Sequence, residues 1–552
     1  MSKVQTKSTP KSTAAGVDLS KLFPKSVKHT FSRSAVYARN GMVAASQPLA
    51  CDAGISILKK GGNAVDAAIS ASIILSVVEP NATSIGGDCF AIVKMEGKDP
   101  VSYNGSGIAP EKANYNFFKS KNIDKIGLTS AHSVTIPGAI DAWKKIHDDF
   151  GKLDFEELFI PAINIARDGF KVTKVVANAW DKSLKKLTED QNSKKIILNN
   201  GRSYKIGEIR KSETLAKTLE SISKRGISEF YSGPIAEDIV NTLNKLGGLH
   251  TLEDFSKQKT IKSKTISSEY RDIDIHQCPP NGPGVTVLIM MKLLQKLKIE
   301  NYKFDSVERF HLEAEVTKQA YKIKEEHLGD PDFINLNLDK ILSEETVDEI
   351  ANKISLKKCS EVGDLNIPNH PETVYLTVVD KDLNTVSIIN SVCYAFGSAI
   401  TTEKTGIILH NRGTNFRVEE NHPNCIEGLK RPLHTIIPGM VIDKNGDQVL
   451  SYGVMGGQYQ PVGQVHVLNS VLDFNLSPQQ AISFPRAFHF NNIYKLERAV
   501  SKDVMQGLKE IGHNIEYIDE THGGGQAISI DRKNGNLIGG SDPRKDGYAK
   551  GY

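Results

Sequence analysis

Two hydroxyl side chains, Thr373 and Ser391, stand where they could do chemistry together. Each lies nine residues from Asp382, the centre of a polar stretch, Asp380-Lys-Asp-Leu-Asn384, between the β-branched runs Val374–Val379 and Thr385–Asn390. Such runs on either side of a short polar loop predict an antiparallel hairpin. Symmetric pairing about Asp382 puts Val379 opposite Thr385 and, by extension, Thr373 opposite Ser391. Directly opposed residues hold their Cβ atoms roughly 4.5–5.5 Å apart, within range of a hydroxyl–hydroxyl hydrogen bond. A cross-strand Thr–Ser pair is ordinary by itself. Here the strand is fed by Asn366-Ile-Pro-Asn-His-Pro-Glu372, a turn-rich segment suited to an exposed loop. Thr373 therefore falls where an accessible loop meets a buried strand.

Metal chemistry finds little support. Cys51, Cys89, Cys278, Cys359, Cys393 and Cys425 are scattered, with no C-x-x-C pair and no histidine at finger spacing, and read as buried free thiols of a reducing compartment. Glu325-Glu326-His327 lacks a second ligand one helical turn on, and H-E-x-x-H does not occur. No metal and no cofactor is expected.

The elements that must position the hairpin can be traced outward from it. Gly41–Ala45 reads as a short buried strand, and two helices follow, separated by Gly61-Gly62. Gly61 is placed to end the first in a left-handed conformation, and Asn63 with Asp66 makes an N-cap pattern for the second. That second helix, Ala64 to Val78, is apolar on most sides but shorter than the ~20 residues that cross a bilayer, so it reads as a core element. It ends at Glu79-Pro80 and leads through Gly86-Gly87-Asp88 into an apolar strand, Cys89 to Lys94. Residues 140–360 carry mostly amphipathic helical patterns, such as Pro161–Arg167 and Val285–Leu297, with a Lys/Glu-rich stretch at 320–360. From Thr373 onward strands dominate, Gly406–Leu409 among them. The sum is an α+β fold.

Composition bounds the function. The 552 residues include 69 Lys+Arg against 65 Asp+Glu, a net charge of +4, and no concentrated basic stripe, so no nucleic-acid partner is implied. No segment is built to cross a membrane. The first forty residues hold eight Lys/Arg against one acid, Asp18, with many Ser/Thr and no apolar core. They read as a disordered basic tail of a cytoplasmic protein, an organelle address being the alternative.

At the threonine junction a resemblance becomes specific. Glu372-Thr-Val-Tyr-Leu-Thr-Val-Val-Asp-Lys-Asp382, with Phe396-Gly-Ser398 beyond the hairpin, resembles the self-cleavage site of the γ-glutamyltranspeptidase family of N-terminal-nucleophile hydrolases. Gly61–Ala68, Ser84-Ile-Gly-Gly-Asp88, Ile136–Ala139, Leu328-Gly-Asp-Pro-Asp332, Lys430–Leu433, Met455-Gly-Gly457, Phe484-Pro-Arg486 and Ser541-Asp-Pro-Arg544 resemble further family signatures, in the family's order. The resemblance implies a four-layer αββα sandwich. It also implies a precursor cut between Glu372 and Thr373 into a large subunit, 41–372 behind the tail 1–40, and a small subunit, 373–552. Thr373 would be the nucleophile, Ser391 its hydroxyl partner, and Gly456 and Gly457 the oxyanion-hole glycines. Once Thr373 is N-terminal, its own α-amine, which ordinarily titrates at about 7.7–8.0, can take the hydroxyl proton.

The substrate-binding positions depart from the family. A γ-glutamyl site needs a cation for the α-carboxylate and an acid for the α-ammonium; these positions fall on Ser106 and Asn415. The asparagine beyond the hydroxyl partner falls on Cys393, a glutamine on Arg412, and a Ser-Ser pair on His434-Thr435. Arg412, an uncompensated cation, is expected to meet substrate, the alternative being a salt bridge to Glu403 or Glu419; His434 reads as structural before substrate-binding. Asn411-Arg-Gly413, His422-Pro-Asn424 and Arg431–Thr435 look more like the acylase and oxamate-amidohydrolase branch. The expectation is a self-processing amidohydrolase acting on a small carboxylate-bearing amide. Glutathione hydrolysis or γ-glutamyl transfer is the alternative within the class, and an unprocessed scaffold or binding protein the alternative outside it. Homo-oligomer formation is left open.

Overall fold

Ala64–Val78, buried at every one of its 15 positions, is the helix against which the sheet carrying Thr373 is laid. Its ends are built as the sequence predicts. Gly61 closes the preceding helix, Pro48–Lys60, at φ 105°, and Asn63 and Asp66 form a reciprocal capping box. The computed structural model describes residues 33–361, 363 and 372–552.

Two seven-stranded antiparallel sheets lie face to face. The first runs in the order Tyr548–Gly551, Gly41–Ala45, Val374–Asp380, Thr385–Ser391, Asp88–Lys94, Val101–Gly105, Ile261–Lys264. The second runs Val36–Ala38, Asn536–Ser541, Gly524–Asp531, Gln448–Met455, Gly439–Asp443, Ile273–Gln277, Ile266–Tyr270. Both sheets thus take strands from before and after Thr373. Phe90, Ile92, Tyr375, Ile389, Met440 and Met455 fill the space between them, and the Thr377 and Ser451 hydroxyls meet across it at 2.6 Å. The approach is close enough to require Gly453, where a Cβ would lie 2.4 Å from the Tyr375 ring. Pro48–Lys60, Ala64–Val78 and Ala139–Phe150 cover the first sheet; Gly284–Lys296 and Gln460–Leu472 cover the second, with Val307–His327 against them. The result is the αββα sandwich.

The hairpin register is the one derived from symmetry: Val379 pairs with Thr385 and the ladder runs to Val374 with Asn390. Four expectations change. A tail over 1–40 is too long, because Val36–Ala38 pairs with Leu537–Gly539; residues 1–32 lie outside those described. Gly406–Leu409 is not a strand. It makes only isolated bridges, and its apolar run is buried as irregular core, which periodicity cannot distinguish from a strand. Conversely, Ile261–Gln277, inside the helical stretch, supplies three short strands whose outward Lys and Ser residues weakened the pattern. Of the cysteines, all free, Cys359 and Cys425 are half-buried rather than buried. Among the described residues no helix is long and apolar enough to cross a membrane.

Candidate active site

The hairpin register delivers Thr373 to Ser391. Thr373 Oγ1 donates to the Glu372 carbonyl oxygen at 2.5 Å and lies 3.2 Å from Ser391 Oγ. Gln460 Nε2, at the start of the helix Gln460–Leu472, donates to Thr373 Oγ1 at 3.3 Å. Ser391 Oγ accepts from the Cys393 backbone N–H at 2.9 Å and from Arg412 Nη2 at 3.0 Å. With both lone pairs engaged, its proton is left for the Glu372 carbonyl, 3.2 Å away. Two hydroxyls thus converge on the carbonyl of the Glu372–Thr373 bond. Asn81 Nδ2 holds the Glu372 carboxylate at 3.2 Å.

The glycine turn lies just before Gln460. Gly456 (φ 126°) and Gly457 (φ 58°) occupy left-handed backbone, and a Cβ on Gly456 would come within 2.7 Å of the Gly523 Cα, so the turn requires glycine there. Tyr321 OH donates to the Gln458 carbonyl and Lys324 Nζ to Gln458 Oε1 at 2.7 Å, fixing the residue that follows.

Arg412 is fully buried and does not pair with Glu403, which bonds to Lys245. Its Nη1 donates to Thr435 Oγ1 at 2.9 Å, and its Nε lies 3.7 Å from Asp88 Oδ2. The cation is therefore compensated, contrary to expectation, because a guanidinium stripped of water needs an anion beside it. Asp88 stands opposite Ser391 in the neighbouring strand. His434 Nε2 donates to Asp88 Oδ2 at 3.0 Å, His410 Nδ1 lies 3.3 Å from the same oxygen, and the Gly107 N–H donates to Oδ1 at 3.1 Å. Burial alone would raise this carboxyl, but His410 and His434 hold it well below the usual carboxylate range. His434 is pushed down to about 3 by burial and by the Arg412 charge. It is a neutral donor, its Nδ1 accepting from the Ile436 N–H. Both ring nitrogens are thereby engaged.

The remaining expected residues separate. Asn415, His434 and Thr435 line a small open cleft with Lys324, Arg417 and Gln458. Ser106 is sealed away from it: its hydroxyl accepts from Asn281 Nδ2 at 3.0 Å and its carbonyl from Arg431 Nε at 3.1 Å. Asn415 Nδ2 donates to the Leu433 carbonyl at 3.1 Å, and the Cys393 thiol lies 3.9 Å from Asn415 Oδ1.

The family model for γ-glutamyltranspeptidase matches residues 50–552. The chain belongs to the γ-glutamyltranspeptidase family. It is 34% identical to a glutathione hydrolase-like proenzyme of Bacillus subtilis, over 92% of this chain and 98% of that one. It is 29% identical to an oxamate amidohydrolase proenzyme of Klebsiella pneumoniae, over 93% and 98%. The crystal structure of a cephalosporin acylase from Bacillus halodurans superposes with a TM-score of 0.89 at 35% identity, over 96% of this chain and 99% of that one.

Within this family member, reading the sequence missed Asp88, His410, Gln460 and Lys324. Asp88 had a signal, since it ends the Ser84–Asp88 motif immediately before a buried strand. It also missed a cluster elsewhere: ligand atoms of His311, Glu315 and His513 lie within 4.8 Å of one another. Their hydrogen bonds are already made, ring to ring at 2.8 Å and to Glu315 from Lys318 Nζ and the Ser360 N–H. An ion there would have to displace them.

Proposed function

We propose that this amidohydrolase of the γ-glutamyltranspeptidase family cuts its own Glu372–Thr373 bond and then uses Thr373 as an N-terminal nucleophile on a small carboxylate-bearing amide. The observation that carries the reading is the Thr373 hydroxyl, 2.5 Å from the Glu372 carbonyl oxygen, with Ser391 on the same carbonyl. In self-processing Thr373 Oγ1 adds to the Glu372 carbonyl carbon, the peptide C–N bond breaks, and water opens the resulting ester. This frees the Thr373 α-amine. In turnover that amine takes the hydroxyl proton, Oγ1 forms an acyl ester with the substrate's acyl group as its amine leaves, and water releases the acid. Gly456 and Gly457 supply backbone N–H groups to the tetrahedral oxyanion; one such donor typically contributes ~2.7–4 kcal/mol. The products are a large subunit ending at Glu372 and a small one, 373–552. Strands from both interleave in both sheets, so the cut pieces remain one body.

The scaffold alternative has no support in family membership or in this site. Glutathione hydrolysis, named for several relatives, is disfavoured because Ser106 and Asn415 bring no charge to the positions that a zwitterionic γ-glutamyl head requires. The test is Thr373→Ala. It is expected to remain a single 60.6 kDa chain and to show no amide hydrolysis, while wild type gives two pieces on a denaturing gel and a small subunit whose first residue is Thr373 by mass. Cleavage of the variant at this bond would sink the proposal.

A further inference from the structure

Lys324 sits in a Lys/Glu-rich helix surface, yet its side chain is only 2% exposed and reaches the cleft beside the glycine turn. An ammonium has three protons to place. One goes to Gln458 Oε1 at 2.7 Å. The adjacent carboxylate, Glu325, lies 3.5 Å from it and gives its shorter contact, 2.6 Å, to Arg417. The Tyr321 ring, 4.7 Å away, offers only its π face. Lys324 is therefore a buried cation at the cleft wall with one proton left over, its carboxylate neighbour giving one oxygen to it and the other to Arg417. Arg412, the cation expected to meet substrate, is already held by Ser391, Thr435 and Asp88.

Resting on the function proposed above, we infer that this cleft binds the free carboxylate of the acyl donor and that Lys324 Nζ is its cationic partner. Burial lowers the Lys324 pKa by removing water from the ammonium, and an arriving anion restores what the water supplied. The position also limits the acyl chain. Lys324 touches the side chain of Gln458, the residue after the oxyanion glycines, so the carboxylate lies only a few bonds from the reacting carbonyl. Short dicarboxylic half-amides fit this; a neutral acyl chain leaves the third ammonium proton without an acceptor. Asn415 and Thr435 line the same wall without adding charge.

The test compares glutaric acid mono-4-nitroanilide with its uncharged counterpart, pentanoic acid 4-nitroanilide, in processed wild type, Lys324→Gln and Lys324→Arg. Wild type is expected to prefer the glutaryl substrate. A charge-assisted hydrogen bond corresponds to a loss of about 10- to 100-fold, so Lys324→Gln should lower kcat/KM for glutaryl at least tenfold more than for pentanoyl, mainly through KM, and Lys324→Arg should recover most of it. An equal fall on both substrates means that Lys324 serves only to fix Gln458 and overturns the inference. So does an unchanged preference, or a processed wild type that favours the pentanoyl substrate or cleaves neither. Wild type that stays uncut overturns instead the reading of Thr373 on which the inference rests.

Discussion

The floor of the site and its wall are built in different ways. The floor, Thr373 and Ser391, is one hairpin whose register follows from counting residues either side of Asp382. The wall, Arg412, Asn415, His434 and Thr435, comes from the short 3-10 helix Arg412–Asn415 and from irregular chain, and its polar groups are answered by residues hundreds of positions away: His434 and Asp88 are 346 apart. Position in an aligned motif therefore located the wall residues without revealing what they touch. Arg412 makes the point. In the sequence it is a lone cation available to substrate; in the fold its guanidinium supports Ser391 and shares Asp88 with two histidines. The change of charge in the wall has been absorbed into the support of the nucleophile.

Breaking that link is expected to have the largest effect. Asp88→Asn removes the anion from a buried cluster that keeps the Arg412 cation, and breaking a buried pair typically costs ~3–5 kcal/mol. Because Arg412 donates to Ser391, the half-time of self-processing should lengthen by about a hundredfold or more, read on denaturing gels with thermal unfolding as the control for folding. Processing at the wild-type rate would mean that floor and wall are independent, and the comparison would fail. Ser391→Ala tests the joint from the other side. It removes one hydroxyl from the Glu372 carbonyl and leaves the Arg412–Asp88 pair in place, so a hydrogen bond's worth, about tenfold, should be lost from both processing and turnover. Rates indistinguishable from wild type would take Ser391 out of the mechanism.

What could be read in the sequence follows the same division. Gly61, the Asn63–Asp66 capping box and the hairpin are local: each is decided by residues within a turn or a loop of one another. The three strands of Ile261–Gln277 were hidden because strands this short carry too few alternations to stand out from helical surroundings. Gln460 and Lys324 were hidden for a different reason. Each is one polar residue on a helix, and only the packing of that helix decides whether it faces water or the cleft. Lys324 in particular lies in a charged stretch whose neighbours Lys322 and Glu326 are exposed.

The smallest expected effect concerns the back of the floor. Glu79, just beyond the helix Ala64–Val78, is buried and accepts from Ser46 Oγ at 2.5 Å. Burial raises its pKa from 4.5 to about 7 against the opposing pull of Ser46 and Lys545, with Asp546 and Glu372 adding to the rise. A carboxyl raised on folding binds its proton more tightly in the folded chain. Its contribution to stability is complete below pH 4.5 and is lost as pH climbs through about 7. Glu79→Gln stays neutral throughout and keeps an acceptor for Ser46, so it should match the parent chain near pH 4.5 and exceed it at pH 8, by a Tm difference of about 2–4 °C in a chain of this size. The comparison is made on the uncut Thr373→Ala chain, so that Glu372 keeps its place and processing does not enter the melting curve. Equal Tm values at pH 8 would mean that Glu79 is not raised and that the floor is as insensitive to pH as the fixed Arg412–Asp88 pair. A gap that opens between pH 5 and 8 would mark the floor, and not the wall, as the part of the site whose stability depends on a titrating group.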